Sequence, residues 1–320
     1  MILMKIVVLD GYTMNSGDLS WENLEELGEL TIYDRTSESE VIERISDSEI
    51  VITNKIIIDK AVFEKCKNIK YVGVTATGYN VVDTNLAKEL GIVVTNVPAY
   101  STDSVAQAVF SYILEHVQNV SKYNESVKSG TWVNSKDFSY RKFPIIELAG
   151  KNLGIIGFGA IGKKVAEIGI AFGMNVFVNT RTVSNTNLNV KFVSKEEIFK
   201  NSDFLTLHCP LTDETKELVD EKTLKLMKKS AMLINTGRGG LVNEKDLADA
   251  LNLDNIARAG LDVLSTEPPK ENNPLINAKN TIITPHIAWA SYEARKRLMD
   301  VTVNNVKSFI EGNPINIVNK

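Results

Sequence analysis

The chain has 320 residues, enough for two ordinary domains, and its 43% hydrophobic and 24% charged residues describe a folded globular protein rather than a fibrous or disordered one. Its 36 basic and 40 acidic residues leave a formal charge of −4, with no dense block of Lys and Arg beyond pairs such as 163–164 and 228–229, which argues against nucleic acid as the main ligand. Cys66 and Cys209 are too few and too far apart for a disulfide framework or a thiolate metal cluster, so a reducing compartment, the cytoplasm, is expected.

The chain opens with "MILMKIVVLDG". Lys5 and Asp10 interrupt this apolar stretch, β-branched residues dominate its centre, and no small-residue cleavage site follows, so a first strand is expected rather than a leader. No apolar run approaches the roughly 20 residues that span a bilayer, and no membrane association is expected. Over the first hundred residues, "KIVVLDG", "LTIYD", "EIVITN", "IKYVGVTATG" and "GIVVTNV" alternate with polar helix-periodic stretches such as "SEVIERIS" and "DTNLAKELG". That alternation predicts an α/β fold with a parallel sheet covered by helices on both faces. After Pro98, Val105, Val109, Tyr112, Ile113 and Val117 fall at helical spacing, with Ser101, Thr102 and Asp103 as candidate caps.

A more polar stretch follows, and a second strand and helix series starts near residue 151, so two domains are expected. Within it, "GFGAIG" at 157–162 fits G-x-G-x-x-G in the context the motif requires, with the apolar "LGII" before it and the helix-compatible "KKVAEIGIAF" after it. Gly157 would allow the tight turn, Gly159 the approach of a pyrophosphate, and Gly162 close helix packing. The plainer alternative is a glycine-rich turn with no ligand. A dinucleotide site that prefers NAD carries an acidic residue about 20 positions on. Here "FVNTRT" places Thr180 there and Arg181 next to it. Lacking a carboxylate to repel a 2′-phosphate, and offering a guanidinium to pair with one, the site leans slightly towards NADP(H); the alternative is a solvated loop arginine beside an NAD site.

Ligands of doubly wound sheets bind outside the carboxyl ends of the strands, and this second series ends its strands in polar residues. "FLTLHCP" ends in His208, Cys209 and Pro210, "MLINTGRGG" in Thr236, Gly237 and Arg238, "ARAGLDV" in Asp262, and "TIITPH" in His286, one of three histidines in the chain. Arg238, between glycines, suits a bidentate contact with a carboxylate. Glu267, in the loop after Asp262, could orient His286 and stabilise its protonated form, as a general acid for carbonyl reduction requires. His208 reads as structural or merely near the cofactor, and His116, inside the long helix, is given no chemical role. No His or Cys pair shows metal-ligand spacing. Trp289 fits either the core or a substrate pocket. A last helix is predicted from about Tyr292 to Ile310.

With these residues in view, the chain resembles the D-isomer-specific 2-hydroxyacid dehydrogenases over essentially its whole length. The resemblance rests on "VTATGYNVVD", "NVPAYSTDSVAQ", "GIIGFGAIG", "LHCPLTDET", "LINTGRGGLVNEKDL", "GLDVLSTEPP" and "ITPHIAWAS", and the opening segment looks most like the glycerate dehydrogenase, or hydroxypyruvate reductase, subgroup. It implies two doubly wound parallel-sheet domains. A flavodoxin-like substrate domain would be built from about 1–99 and 289–320, around a Rossmann cofactor domain at 100–288 with a dimerisation arm within about 101–150. Arg238 would bind the substrate's carboxylate and carbonyl, His286 would be the acid/base, and Glu267 would pair with it. Backbone amides around Thr77 and Gly78 would hold the substrate carboxylate. Asp262 and the Thr236–Gly237 region would hold the nicotinamide carboxamide, and Ala160, Ile161, Cys209 and Pro210 would line the dinucleotide. The missing ribose acid departs from the NAD-dependent pattern. The expected reaction is hydride transfer between NAD(P)H and C2 of a small 2-oxo acid, hydroxypyruvate or glyoxylate, by a homodimer. A formate dehydrogenase is disfavoured because that subgroup carries glutamine where Glu267 stands. The rival from another class is a dinucleotide-sensing corepressor or scaffold on the same fold, against which Arg238, Glu267 and His286 argue.

Overall fold

The computed structural model describes residues 3–183 and 185–320. Met1 and Ile2, included in the expected first strand, lie outside the described residues. The chain divides into two compact units, one made of the residues up to Ser101 with Ala290–Lys320, the other of Thr102–Trp289. These limits fall one or two residues beyond the expected ones, and a contact accounts for part of the shift. The Tyr100 carbonyl accepts Arg297 Nε at 2.9 Å, which keeps that residue with the C-terminal helix.

In the first unit, β1 (Lys5–Val8), β2 (Glu29–Ile32), β3 (Ile50–Thr53), β4 (Tyr71–Val74) and β5 (Val93–Thr95) pair in parallel in the order β2-β1-β3-β4-β5. Every residue of β3 and β4 is buried, as a parallel sheet covered on both faces requires. Aspartates start the surrounding helices: the Asp59 side chain accepts Val62 N, and that of Asp83 accepts Leu86 N. The helix Tyr292–Ile310, capped by Ser291, lies against this sheet, with Phe309 and Tyr71 ring centroids 4.8 Å apart. Past it the chain end pairs with β5, Val318 N donating to Val94 O at 2.9 Å.

The second unit holds seven parallel strands: β6 (Asn152–Ile156), β7 (Asn175–Asn179), β8 (Val190–Phe192), β9 (Phe204–Leu207), β10 (Met232–Asn235), β11 (Arg258–Leu261) and β12 (Thr281–Ile283). Their order is β12-β11-β10-β9-β6-β7-β8, so the chain reverses direction across the sheet between β6 and β9. That reversal opens a crevice at the carboxyl ends of the two strands. One face of the sheet carries the helix Thr102–Gln118, which buries Val105, Val109, Tyr112, Ile113 and Val117 at the predicted spacing. The other carries the helices Lys195–Asn201 and Glu244–Asn252. The polar stretch after residue 118 contains a helix the sequence reading left out, Val120–Lys128, whose polar composition hides its periodicity. Among the described residues, no helix is long and apolar enough to cross a membrane.

Candidate functional site

The glycine turn at 157–162 and the residues Arg238, Asp262, Glu267 and His286 all belong to the second unit. Gly157 adopts φ +96°, and a Cβ there would meet Cys209 N at 2.5 Å. One on Gly162 would meet Gly157 O at 2.2 Å. These two glycines are therefore demanded by the fold, since they let the β6 turn pass against the β9 end and the helix Ala160–Ala171 pack down on the turn. Gly159 differs, because a Cβ there meets nothing within 4 Å, and Gly159 is the N-cap of that helix with no side-chain hydrogen bond capping it. Open ground in front of uncapped helix amides, including those of Ala160 and Ile161, is what a pyrophosphate needs. Among the described residues, Thr236 Oγ1 is a buried hydroxyl without a partner, next to Gly237 at the β10 end. On these observations the residues fit a dinucleotide.

His208, Cys209 and Pro210 follow β9, and Cys209 N lies against Gly157. Thr180 directly follows β7, its hydroxyl donating to Thr182 O at 3.4 Å, and Arg181 is exposed. No carboxylate side chain occupies either position.

An open cleft of about 180 Å3 brings Arg238, Glu267 and His286 together, with Leu211, Gly240 and Leu264 around them. Backbone packing sets two of its walls. A Cβ on Gly239 would lie 1.9 Å from Leu264 C, so this glycine lets the Arg238 turn rest on the loop that carries Glu267. Glu267 is clamped at both oxygens: Oε1 accepts Leu264 N at 3.0 Å, and Oε2 accepts His286 Nδ1 at 2.6 Å. With Nδ1 engaged, Nε2 is the ring nitrogen left for a substrate oxygen. Burial pushes the Glu267 carboxyl up, but the hydrogen bond and charge of His286, the Leu264 amide and the Arg238 guanidinium outweigh it and hold the group below its ordinary value. The carboxylate is thus ionised at neutral pH beside the imidazole.

His286 has φ +54°, a left-handed conformation that costs a non-glycine residue about 1–3 kcal/mol and persists only when its surroundings impose it. Asp262, 2% exposed, supplies much of that constraint. Its carboxylate accepts Ile287 N at 2.9 Å, Ala288 N at 2.8 Å and Thr284 Oγ1 at 2.6 Å, and its backbone oxygen accepts His286 N at 2.8 Å. Sequence reading gave Asp262 only a contact with the nicotinamide and missed this structural work. The signal available was the threonine two residues before the histidine, at the end of β12. The lining residues Leu211 and Leu264 were also missed, since an apolar residue in a loop carries no sequence mark of function.

His208 lies at the β9 end with Nε2 2.9 Å from Thr206 Oγ1, and burial holds its imidazole down to about 3, a neutral ring in a structural position. His116 sits in the helix Thr102–Gln118 with a buried Nδ1 that has no partner among the described residues. Burial, then the charges of Arg258 and Lys122, hold it down to about 4. Trp289 closes the second unit, half-buried. Among the described residues, no three His, Cys, Asp or Glu side chains are placed to hold a metal ion. Thr77 and Gly78 belong to the first unit, in the loop after β4, where Asn96 Nδ2 donates to Thr77 O at 2.8 Å and Asn54 Nδ2 to Thr75 O at 2.6 Å.

Comparison with known proteins agrees with this geometry. Residues 110–288 match the family model "D-isomer specific 2-hydroxyacid dehydrogenase, NAD binding domain". A hydroxypyruvate reductase of Blautia hydrogenotrophica is 51% identical over 322 residues, covering 99% of this chain and 100% of the relative. A glycerate dehydrogenase of Methylorubrum extorquens is 39% identical over 317 residues, 98% of each chain. Among solved structures, an acyclic imino acid reductase (Bsp5) in complex with NADPH and D-Arg superimposes with a TM-score of 0.87 at 34% identity, covering 98% of this chain and 100% of that one.

Proposed function

Because the chain belongs to the D-isomer-specific 2-hydroxyacid dehydrogenases, we propose that it reduces hydroxypyruvate to D-glycerate, reversibly, with His286 as the acid/base and Arg238 and Glu267 as its partners. The observation that carries the assignment of roles is the clamped pair, Glu267 Oε2 at 2.6 Å from His286 Nδ1, in one cleft with Arg238. The nicotinamide, when bound, supplies the hydride that C2 of the oxo acid accepts. Protonated His286 gives its Nε2 proton to the carbonyl oxygen, so that C=O becomes CH–OH, and in the oxidative direction the neutral ring takes that proton back. Glu267 keeps the Nδ1 proton in place throughout, which fixes the ring's orientation and leaves Nε2 facing the substrate. Arg238 pairs with the substrate carboxylate and polarises the carbonyl. The amides of Thr77 and Gly78 are assigned to that carboxylate on the family pattern, and Asp262, Thr236 and Gly237 to the carboxamide of the nicotinamide.

Of the two dinucleotides, NADP(H) is the slightly preferred cofactor in this reading. Its support is Thr180 where an acid would stand, the exposed Arg181, and a 34% identical neighbour that carries NADPH. The working form is a homodimer, which would cover the apolar side chains exposed between 120 and 145. Phe138 is 91% exposed and Val133 86%, an arrangement that favours a partner surface. Cytoplasmic residence fits two free thiols, Cys66 buried and Cys209 half-buried.

The test is to measure initial rates with hydroxypyruvate, glyoxylate and pyruvate, each with NADPH and NADH, and to identify the enantiomer formed. Rapid formation of D-glycerate supports the reading. Failure to turn over any of the three oxo acids with either cofactor refutes it.

A further inference from the structure

We propose that Tyr112, on the helix Thr102–Gln118 and outside the lining of the cleft, is a positioning residue for His286, acting through Thr284 and Asp262. The proposal rests on the reading of His286 as the acid/base. The contacts form an unbroken line. The Tyr112 hydroxyl is hydrogen-bonded to Thr284 Oγ1, Thr284 Oγ1 donates to Asp262 Oδ1 at 2.6 Å, and the Asp262 carboxylate receives the amides of Ile287 and Ala288. A hydroxyl has one proton. Since Thr284 gives its own to Asp262, its oxygen accepts from Tyr112, so the phenol is the first donor of the line. Burial pushes that phenol up to about 12, which keeps its proton in place across any assay range.

Two further observations connect this line to the sequence. Tyr112 lies on the core face of its helix, 4% exposed, where a purely apolar side chain would serve packing equally well. Its ring is admitted by a glycine, because a Cβ on Gly260 of β11 would stand 2.9 Å from Tyr112 Cβ and Cγ. The same helix also reaches the far end of the histidine loop, where Ser104 Oγ donates to Ala288 O at 2.6 Å. One helix therefore braces residues 284 and 288 on either side of a histidine held at φ +54°. A strained conformation needs such bracing, and a small misplacement of a proton donor slows catalysis.

The experiment makes Tyr112→Phe, Thr284→Val, the double variant and His286→Ala, and measures kcat, KM for hydroxypyruvate, the Kd of NADPH and the solvent deuterium isotope effect on kcat. Tyr112→Phe is expected to lower kcat about fivefold, with KM and Kd within about twofold and a larger isotope effect, as proton delivery becomes more limiting. Thr284→Val should cost about tenfold, and the double variant no more than Thr284→Val alone, because the line is already cut. Two results would each overturn the proposal: a Tyr112→Phe enzyme with the parent's kcat and isotope effect, or single effects that multiply in the double variant. Full turnover by His286→Ala would overturn the functional reading itself and this proposal with it. An inactive His286→Ala beside an unaltered Tyr112→Phe would overturn the proposal alone.

Discussion

Glu267→Gln tests the clamped pair most sharply, because the structure gives this side chain two donors to satisfy. Leu264 N reaches Oε1 at 3.0 Å and His286 Nδ1 reaches Oε2 at 2.6 Å. A carboxylate accepts both, whereas an amide has one oxygen and an NH2 that must face one of the two donors. If the NH2 faces His286, Nδ1 must become the acceptor, and the proton moves to the other nitrogen; if it faces Leu264, the loop is pushed away. A hydrogen bond to a charged group contributes about 1.5–3 kcal/mol. With the two side chains 39% and 37% exposed, solvent screening argues for the lower end, about 1.5 kcal/mol. That corresponds to about a tenfold loss of kcat for the missing charge, before the tautomer effect, which enlarges it. The assay is hydroxypyruvate reduction by stopped-flow or steady-state absorbance between about pH 5 and 8, with the NADPH Kd measured alongside. A loss confined to kcat, with the NADPH Kd unchanged, is the expected result. Turnover within about twofold of the parent at every pH would refute the argument that both oxygens matter.

Gly159→Ala should leave thermal stability unchanged, since its Cβ meets nothing within 4 Å, yet weaken dinucleotide binding by about tenfold or more, read by fluorescence quenching. Equal Kd values would show that no phosphate passes over this residue. Arg181→Ala is expected to reduce kcat/KM for NADPH about tenfold and leave that for NADH nearly untouched; parallel changes in both would remove Arg181 from cofactor selection. His116 is held down from 6.5 to about 4, so the unfolded chain binds its proton first as the pH drops, and the stability tied to the neutral ring is present above about 6.5 and lost as the pH falls towards 4. His116→Leu, which also removes an unpartnered buried nitrogen, should keep or raise Tm at neutral pH and flatten its decline over that window. An unchanged acid slope, measured by scanning calorimetry, would assign the decline to other groups.

Much of this protein was legible in the chain because local rules govern the parts concerned. Residues 5–8 and 50–53 are runs rich in β-branched residues, and the helix Tyr292–Ile310 repeats its apolar face at helical spacing from a serine cap. The glycine turn at 157–162 was readable for a related reason: φ +96° at Gly157 and the contact of Gly162 with Gly157 O leave no other residue type room. The polar strand ends pointed to one cleft because a parallel sheet delivers all its carboxyl ends to the same edge.

What the sequence could not display was which polar atoms meet once the strands are side by side. Asp262 read as a ligand contact, yet its carboxylate accepts from a hydroxyl 22 residues on and amides 25 and 26 residues on. The helix Val120–Lys128 went unseen because its polarity masks its period, and β8 because three residues carry too little pattern. Tyr112 read as one more core position, which by periodicity it is. Only the packing of its helix across Gly260 put its hydroxyl on Thr284, since side-chain periodicity determines which face of a helix is buried and tertiary contact alone decides what a buried polar atom finds there.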